Sequence, residues 1–174
     1  MKTLLLLRHA KSSWEDDLQA DFDRPLNDRG YLAAPRMGAY LRLAKLAPDL
    51  ILCSTARRTR ETLDGIIDGL GQTPDAWLLN SLYLASPDQM LSEIAKVVPG
   101  TQSVMLIAHN PGLEALALSL IDPSIAPPRE NQLLQEKYPT AALTVITFDT
   151  TNWNLPLGKG ALRKFVRPKD LETD

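Results

Sequence analysis

The sequence predicts an α/β fold of three layers, with a mostly parallel central sheet between two layers of helices. Two observations carry that prediction. Short apolar runs alternate with helix-length segments along most of the 174 residues, the order that builds parallel strands joined by crossover helices. The runs Leu4–Leu7, Asp49–Cys53 and Ser103–Ala108 are also almost continuously apolar, as in strands covered on both faces. Each of the three is followed at once by polar, chemically capable residues. In open α/β sheets ligands bind at the carboxyl ends of the strands.

Residues 2–7 read as the first strand, and the polar, turn-rich residues 12–28 as a long loop over the sheet edge. From Arg29 to Leu46, the residues Leu32, Met37, Leu41 and Leu46 recur at near-helical spacing, with Asn27 or Asp28 as N-cap. Pro35 within that pattern predicts a kink or a later start. Asp49–Cys53 is the second buried strand, and Thr55–Leu70 a helix closed by Gly69-Leu70-Gly71. Residues 77–84 form a weaker strand, and Pro87–Val97 a helix opened by Ser86-Pro87-Asp88. Ser103–Ala108 is the third buried strand. Asn110-Pro111-Gly112 opens a helix through Leu120, with Asn110 as cap and Pro111 in the first position. Pro127-Pro128 marks a loop, and residues 143–149 and 161–166 read as further strands. The charged residues 168–174 are expected to be a flexible tail.

The length fits one domain, spanning 1–174 and able to bury about 70% of its unfolded surface. Hydrophobic residues make up 44% and charged residues 23%, an ordinary composition for a globular protein. A formal net charge of −2 argues against nucleic acid or an anionic membrane as partner, since both call for a basic surface. Any anion must therefore be met by a local cluster of arginines. One cysteine, Cys53, excludes an intrachain disulfide framework and fits a cytoplasmic location. No apolar run approaches the length of a membrane span. The run behind Met1-Lys2-Thr3 is too short for a signal peptide and ends in Arg8-His9.

The three strand ends carry one chemistry. The first ends at Arg8-His9, the second in Ser54-Thr55-Ala56-Arg57-Arg58-Thr59, and the third at His109-Asn110. His9 and His109 are the chain's two histidines. If the three strands are neighbours, Arg8, His9, His109 and either Arg57 or Arg58 meet at one edge. The helices that follow the second and third strands would turn their N-terminal amides to the same place. Only one of Arg57 and Arg58 can face it, because successive helical residues point about 100° apart, and propensity does not choose between them. Arg24 lies in the long loop. Such a cluster is an anion site, and phosphate is its natural ligand.

Leu7-Arg8-His9-Ala10 resembles the Arg-His-Gly signature of the histidine phosphatase superfamily, the phosphoglycerate mutase-like fold. Ser54-x-x-x-Arg58-Thr59-x-x-Thr62 resembles that family's second motif, and its spacing selects Arg58. His109 matches the late histidine after the third strand. Arg24-Pro25-Leu26-Asn27, with Gly30 beyond it, looks like the segment found in SixA-type phosphohistidine phosphatases. The resemblance implies catalysis by His9 with Arg8, Arg58 and His109, and phosphate held by Arg8, Arg24, Arg58 and His109. His9 would be neutral and oriented by a ring hydrogen bond, and His109 protonated. No metal or other cofactor is expected.

Two departures matter. Ala10 stands in place of the usual glycine. The stretch Leu78–Tyr83, where larger relatives supply a carboxylic acid to protonate an alkoxide, carries none. An imidazole leaving from phosphohistidine needs little acid help, so the missing acid favours a P–N substrate. Asp16, Asp17, Asp21 and Asp23 remain loop carboxylates within possible reach. The chain is too short for a large cap domain, and an open pocket suits a phosphorylated protein, such as a histidine phosphotransfer domain, better than a small phosphorylated substrate.

Four other readings compete. A small-molecule phosphomonoesterase of the same superfamily would use the same site. A cysteine phosphatase would use Cys53, but its pattern places arginine six positions on, where Thr59 stands. A non-catalytic phosphate-binding or phosphoprotein-binding module would need the arginines but not His9. A mutase or transferase would require an acid and enclosing segments that the chain lacks. Lys11, Ser12 and Trp14 lie near the first motif without an assigned role.

Overall fold

The sheet is built outward from β1 (Lys2–Arg8), whose four leucines are wholly inaccessible to solvent. Side chains on a strand alternate between faces, so four consecutive leucines demand cover on both. The computed structural model, which describes residues 1–172, supplies it. Leu5 and Leu7 pack with Met37 and Leu41 of α1 (Asp28–Leu43) and with Ile66 and Leu70 of α2 (Arg57–Leu70). Leu4 and Leu6 join the opposite cluster, with Ile94 of α3 (Pro87–Ala95), Leu116 of α4 (Gly112–Leu120) and Leu134 of α5 (Pro128–Glu136). Each buried leucine contributes about 1.5–3 kcal/mol relative to exposure, which commits the first strand to the middle of the molecule.

The remaining strands are β2 (Leu50–Ser54), β3 (Asp75–Leu79), β4 (Ser103–Ala108), β5 (Leu143–Phe148) and β6 (Ala161–Val166). They form one sheet in the order β3-β2-β4-β1-β5-β6. The first four are mutually parallel, β5 runs antiparallel to β1, and β6 antiparallel to β5. Only β5 is therefore reversed, and the expected mostly parallel three-layer α/β/α architecture is the one observed. Because β4 lies between β1 and β2, the three strands that end in polar motifs are neighbours.

The structure resolves one local expectation and corrects others. Asn27 is the cap of α1, its Oδ1 accepting from the Gly30 amide at 3.0 Å, and Pro35 lies inside that helix without ending it. The α1 and α2 backbones meet closely there: a Cβ on Gly69 would lie 2.0 Å from the Pro35 carbonyl oxygen. β3 is shorter than expected, giving way to a 3₁₀ turn at Asn80–Leu82. Asn110 does not cap α4; Pro111 is already helical there, and the Asn110 amide donates instead to Glu114 and to the Tyr138 carbonyl. Pro127-Pro128 is not merely a loop, since Pro128 occupies the first turn of α5, where a missing N–H does no harm. The expected flexible tail from 168 onward begins as a 3₁₀ turn, Pro168–Leu171, with Leu171 packed on the α1–α2 side of the core. Residues 173–174 of that tail lie outside the described residues. Among the described residues no helix is long and apolar enough to cross a membrane.

Candidate active site

Strand register brings the three motifs to one level. Arg8 pairs with Ala108 across β1 and β4, and Cys53 with Ile107 across β2 and β4. His9 and His109 thus follow adjacent strand ends, their ring centroids 5.4 Å apart. Both are buried. The His9 ring bonds through Nδ1 to the Ala10 carbonyl at 2.7 Å, and His109 Nε2 lies 2.8 Å from Ser54 Oγ. Arg8 donates to the Tyr138 carbonyl at 2.9 Å. Arg58, in the first turn of α2, is 3% exposed, whereas Arg57 faces solvent and pairs with Glu61 at 2.9 Å.

Arg24 reaches the same place from the long loop. Ser12 bridges to Leu26, the Asn27 amide donates to the Lys11 carbonyl at 2.9 Å, and Gly30 lets the start of α1 lie against the loop. A Cβ at Gly30 would fall 2.2 Å from the Lys11 oxygen. Arg24 donates to Ser12 Oγ at 3.0 Å, and its guanidinium stacks on Trp14, 3.6 Å from the ring centroid. Asp21 then ties the arginines together. Its carboxylate accepts from Arg24 Nε at 3.2 Å, from Arg58 Nη2 at 3.1 Å and from the Tyr83 hydroxyl, and its carbonyl accepts from Arg58 Nη1 at 2.7 Å. All five residues expected at the site, Arg8, His9, Arg24, Arg58 and His109, converge. Ser12 and Trp14 support Arg24, and Lys11 is exposed.

The model of the histidine phosphatase superfamily (branch 1) matches residues 4–78. A candidate phosphohistidine phosphatase SixA from Agrobacterium tumefaciens is structurally similar, with TM-score 0.81 and 31% identity over 96% of this chain and 98% of that one. A second candidate SixA, from Nakamurella multipartitia, gives TM-score 0.81 at 28% identity over 96% of each chain. The uncharacterized protein Rv1276c of Mycobacterium tuberculosis is 36% identical over 140 residues, 80% of this chain and 85% of its own. The chain belongs to the histidine phosphatase superfamily. The two structural relatives described are candidate SixA proteins, and membership of the superfamily supports phosphatase activity.

The superfamily's two histidines here sit in an environment that opposes a positive charge. Burial pushes His9 down from its ordinary 6.5 to about 3; the Ala10 carbonyl works the other way, and Arg58, Arg8 and Arg24 reinforce the fall. Burial, then His9, Arg58 and Arg8, bring His109 to about 3 as well, with Asp21 working the other way. The expectation of a protonated His109 is thus corrected: three guanidiniums in a buried pocket leave no room for another cation. A carbonyl only accepts, so His9 carries its proton on Nδ1 and keeps the Nε2 lone pair free. Cys53 is fully buried, and burial pushes its thiol up to about 12, which removes it as a thiolate nucleophile.

Among the four loop carboxylates, Asp21 is the one that meets the arginines. Burial disfavours its charged form, but the Tyr83 hydroxyl, Arg58 and Arg24 outweigh that and hold the carboxyl below its usual range. Asp21 is therefore an ionised clasp on the arginines and poorly suited to donate a proton. Ser54, Thr62 and Tyr138 are further parts of the site that sequence reasoning left without roles. Thr62 Oγ1 accepts from the Ala10 amide at 2.9 Å and donates to the Arg58 carbonyl, joining the two motifs. Ser54 and Thr62 belong to the second motif, whereas no local pattern marks Asp21 or Tyr138. Among the described residues no group of three or more His, Cys, Asp or Glu side chains is arranged to hold a metal.

Two predictions follow from this geometry. Arg58→Ala should lower kcat/KM for any phosphoryl substrate by about 10²–10³-fold, while Arg57→Ala, which loses only an exposed i,i+4 pair, should stay within about two-fold; steady-state kinetics on both variants checks this. Stability should also fall on acidification. With both histidines titrating near 6.5 when unfolded and near 3 when folded, the unfolded chain binds more protons throughout that window. The stability is full above it and lost as pH drops through it. Urea midpoints should decline from about pH 7 to pH 5, and decline less in the His9→Gln/His109→Gln double variant.

Proposed function

We propose that this chain hydrolyses phosphohistidine in proteins, with His9 as the nucleophile and without a cofactor. The observation that carries the reading is the 2.7 Å bond from His9 Nδ1 to the Ala10 carbonyl, which presents a neutral Nε2 among three guanidiniums. In the first step His9 Nε2 attacks phosphorus, a new N–P bond forms, and the substrate's own N–P bond breaks. The leaving imidazole departs neutral with the proton that its ring already carries. Water then attacks phospho-His9, inorganic phosphate leaves, and His9 is regenerated.

Arg8, Arg24 and Arg58 offset the charge that spreads over the equatorial oxygens. Nε of Arg8, Nε of Arg58 and Nδ1 of His109 are buried without a partner among the described residues. Phosphoryl oxygens satisfy such donors. With the Ser54 hydroxyl donating to His109 Nε2, Nδ1 of His109 holds a proton to offer. An ionised Asp21 cannot protonate an alkoxide, which supports a P–N substrate over an alkyl phosphate ester. The partner in this reading is a phosphorylated protein met in the cytoplasm.

Hydrolysis of a phosphohistidine peptide, p-nitrophenyl phosphate and a simple alkyl phosphate, each at saturating enzyme, tests this. The phosphohistidine peptide should be preferred over the alkyl phosphate by about 10²-fold or more, the contribution general acid catalysis would otherwise make. His9→Ala should abolish all turnover while retaining weakened vanadate binding. Equal rates on the alkyl phosphate and the P–N substrate would instead favour a phosphomonoesterase.

A further inference from the structure

A second basic feature lies beside the site and takes no part in the chemistry above. A cleft of about 510 Å3 is walled by α1 through Arg29, Leu32 and Arg36, by Lys137 beyond α5, and by the C-terminal turn through Arg167 and Lys169. With Lys11, it gathers six of the chain's 19 lysines and arginines but only two of its 21 aspartates and glutamates. For a chain of net charge −2 this is a strong local departure. Arg167 is paired with Asp170 at 2.7 Å; the other five cations form no ion pair among the described residues.

The cleft is continuous with the catalytic centre through the backbone. Lys11 is two residues beyond His9, and the cleft wall Pro139-Thr140 leads into Ala141, whose amide bonds the carbonyls of Arg8 and His9. Its cations, exposed except for the half-buried Arg167, are spaced along both walls, and apolar surface lies between them: Leu32 is 60% exposed, flanked by Ala33, Leu133, Pro139 and Pro168. The catalytic pocket converges buried guanidiniums on one point, as a single phosphoryl group requires. Separated single charges on an apolar floor fit something different: carboxylates interleaved with apolar side chains along an extended stretch. A concave surface with exposed cations on opposite walls also suits a chain segment better than a flat bilayer.

We propose that this cleft is a docking groove for an acidic segment with interspersed apolar residues, carried by the phosphorylated protein substrate. The proposal rests on the reading of the site as one that acts on a phosphoprotein, and it assigns the choice of that protein to a surface separate from the chemistry. Contacts of this kind lower KM without changing kcat, because they persist unchanged from ground state to transition state.

The test separates docking from turnover. A fluorescently labelled, unphosphorylated peptide of alternating glutamate and leucine is titrated with wild type, with Arg36→Glu/Lys169→Glu and with Arg36→Ala/Lys169→Ala, and binding is read by anisotropy. Wild type should bind it, more weakly at high salt, and should not bind the glutamine version. The reversed-charge variant should lose at least about ten-fold in affinity and the alanine variant less, with p-nitrophenyl phosphate turnover unchanged in both. A phosphohistidine peptide bearing the acidic segment should show the same loss in KM alone. Equal binding of the glutamine peptide, or equal binding by all three proteins, overturns the groove. So does variant-sensitive binding to phosphatidylglycerol vesicles with none to the peptide, which would make the surface a membrane contact. Because the binding peptide has no phosphoryl group, a failure to hydrolyse phosphohistidine would leave this result readable on its own.

Discussion

Because β4 hydrogen-bonds to β1 on one side and to β2 on the other, the last residues of three strands finish at one level, and the site depends on that seam. Four buried leucines hold β1 in the sheet, so the first residues that cannot be buried cheaply, Arg8 and His9, emerge at its carboxyl end. The parallel direction of β2 and β4 delivers Ser54, Arg58 and His109 to the same edge. Slipping any of the three strands by one residue would invert its faces, and with them the apolar clusters above and below the sheet. Core packing and catalytic geometry are therefore fixed by the same register.

Concentrating three guanidiniums in a buried pocket creates a repulsion that the protein manages with carbonyls and one carboxylate. Arg8 rests on the Tyr138 carbonyl, and Arg58 on the Asp21 carbonyl and carboxylate, which also holds Arg24. Burial, reinforced by the arginines, keeps both histidines neutral, which suits the proposed role of His9 as a nucleophile and not an acid. The Tyr83 hydroxyl, Arg58 and Arg24 keep Asp21 ionised, so this carboxylate serves as a clasp. An Asp21 held ionised by the arginines offers no proton, which in the proposed reading favours leaving groups that carry their own.

Much of this was legible in the sequence because it is written in short-range pattern. Continuous apolar runs marked strands covered on both faces, and the motif spacing separated Arg58 from Arg57, which the structure buries and exposes respectively. What escaped was set by tertiary contact. Asn110 looked like a cap, but the Tyr138 carbonyl, 28 residues away, takes its amide. Asp21 was one of four equivalent loop carboxylates until the loop folded back on Arg24 and Arg58. A protonated His109 was a fair expectation for a histidine beside phosphate, and it fails because burial among arginines is invisible in one dimension. Pro127-Pro128 read as a loop although proline also opens helices, an ambiguity that only the packing of Leu134 against the core resolves.

The most direct test of the central claim is to mix the protein rapidly with a phosphohistidine peptide, quench in alkali, and locate the phosphoryl group on the chain by mass spectrometry. The account predicts transient phosphorylation on His9, absent from His9→Ala and still formed by Cys53→Ser. Phosphate released with no phosphoenzyme on His9, or a label on Cys53 or His109 in its place, would contradict it.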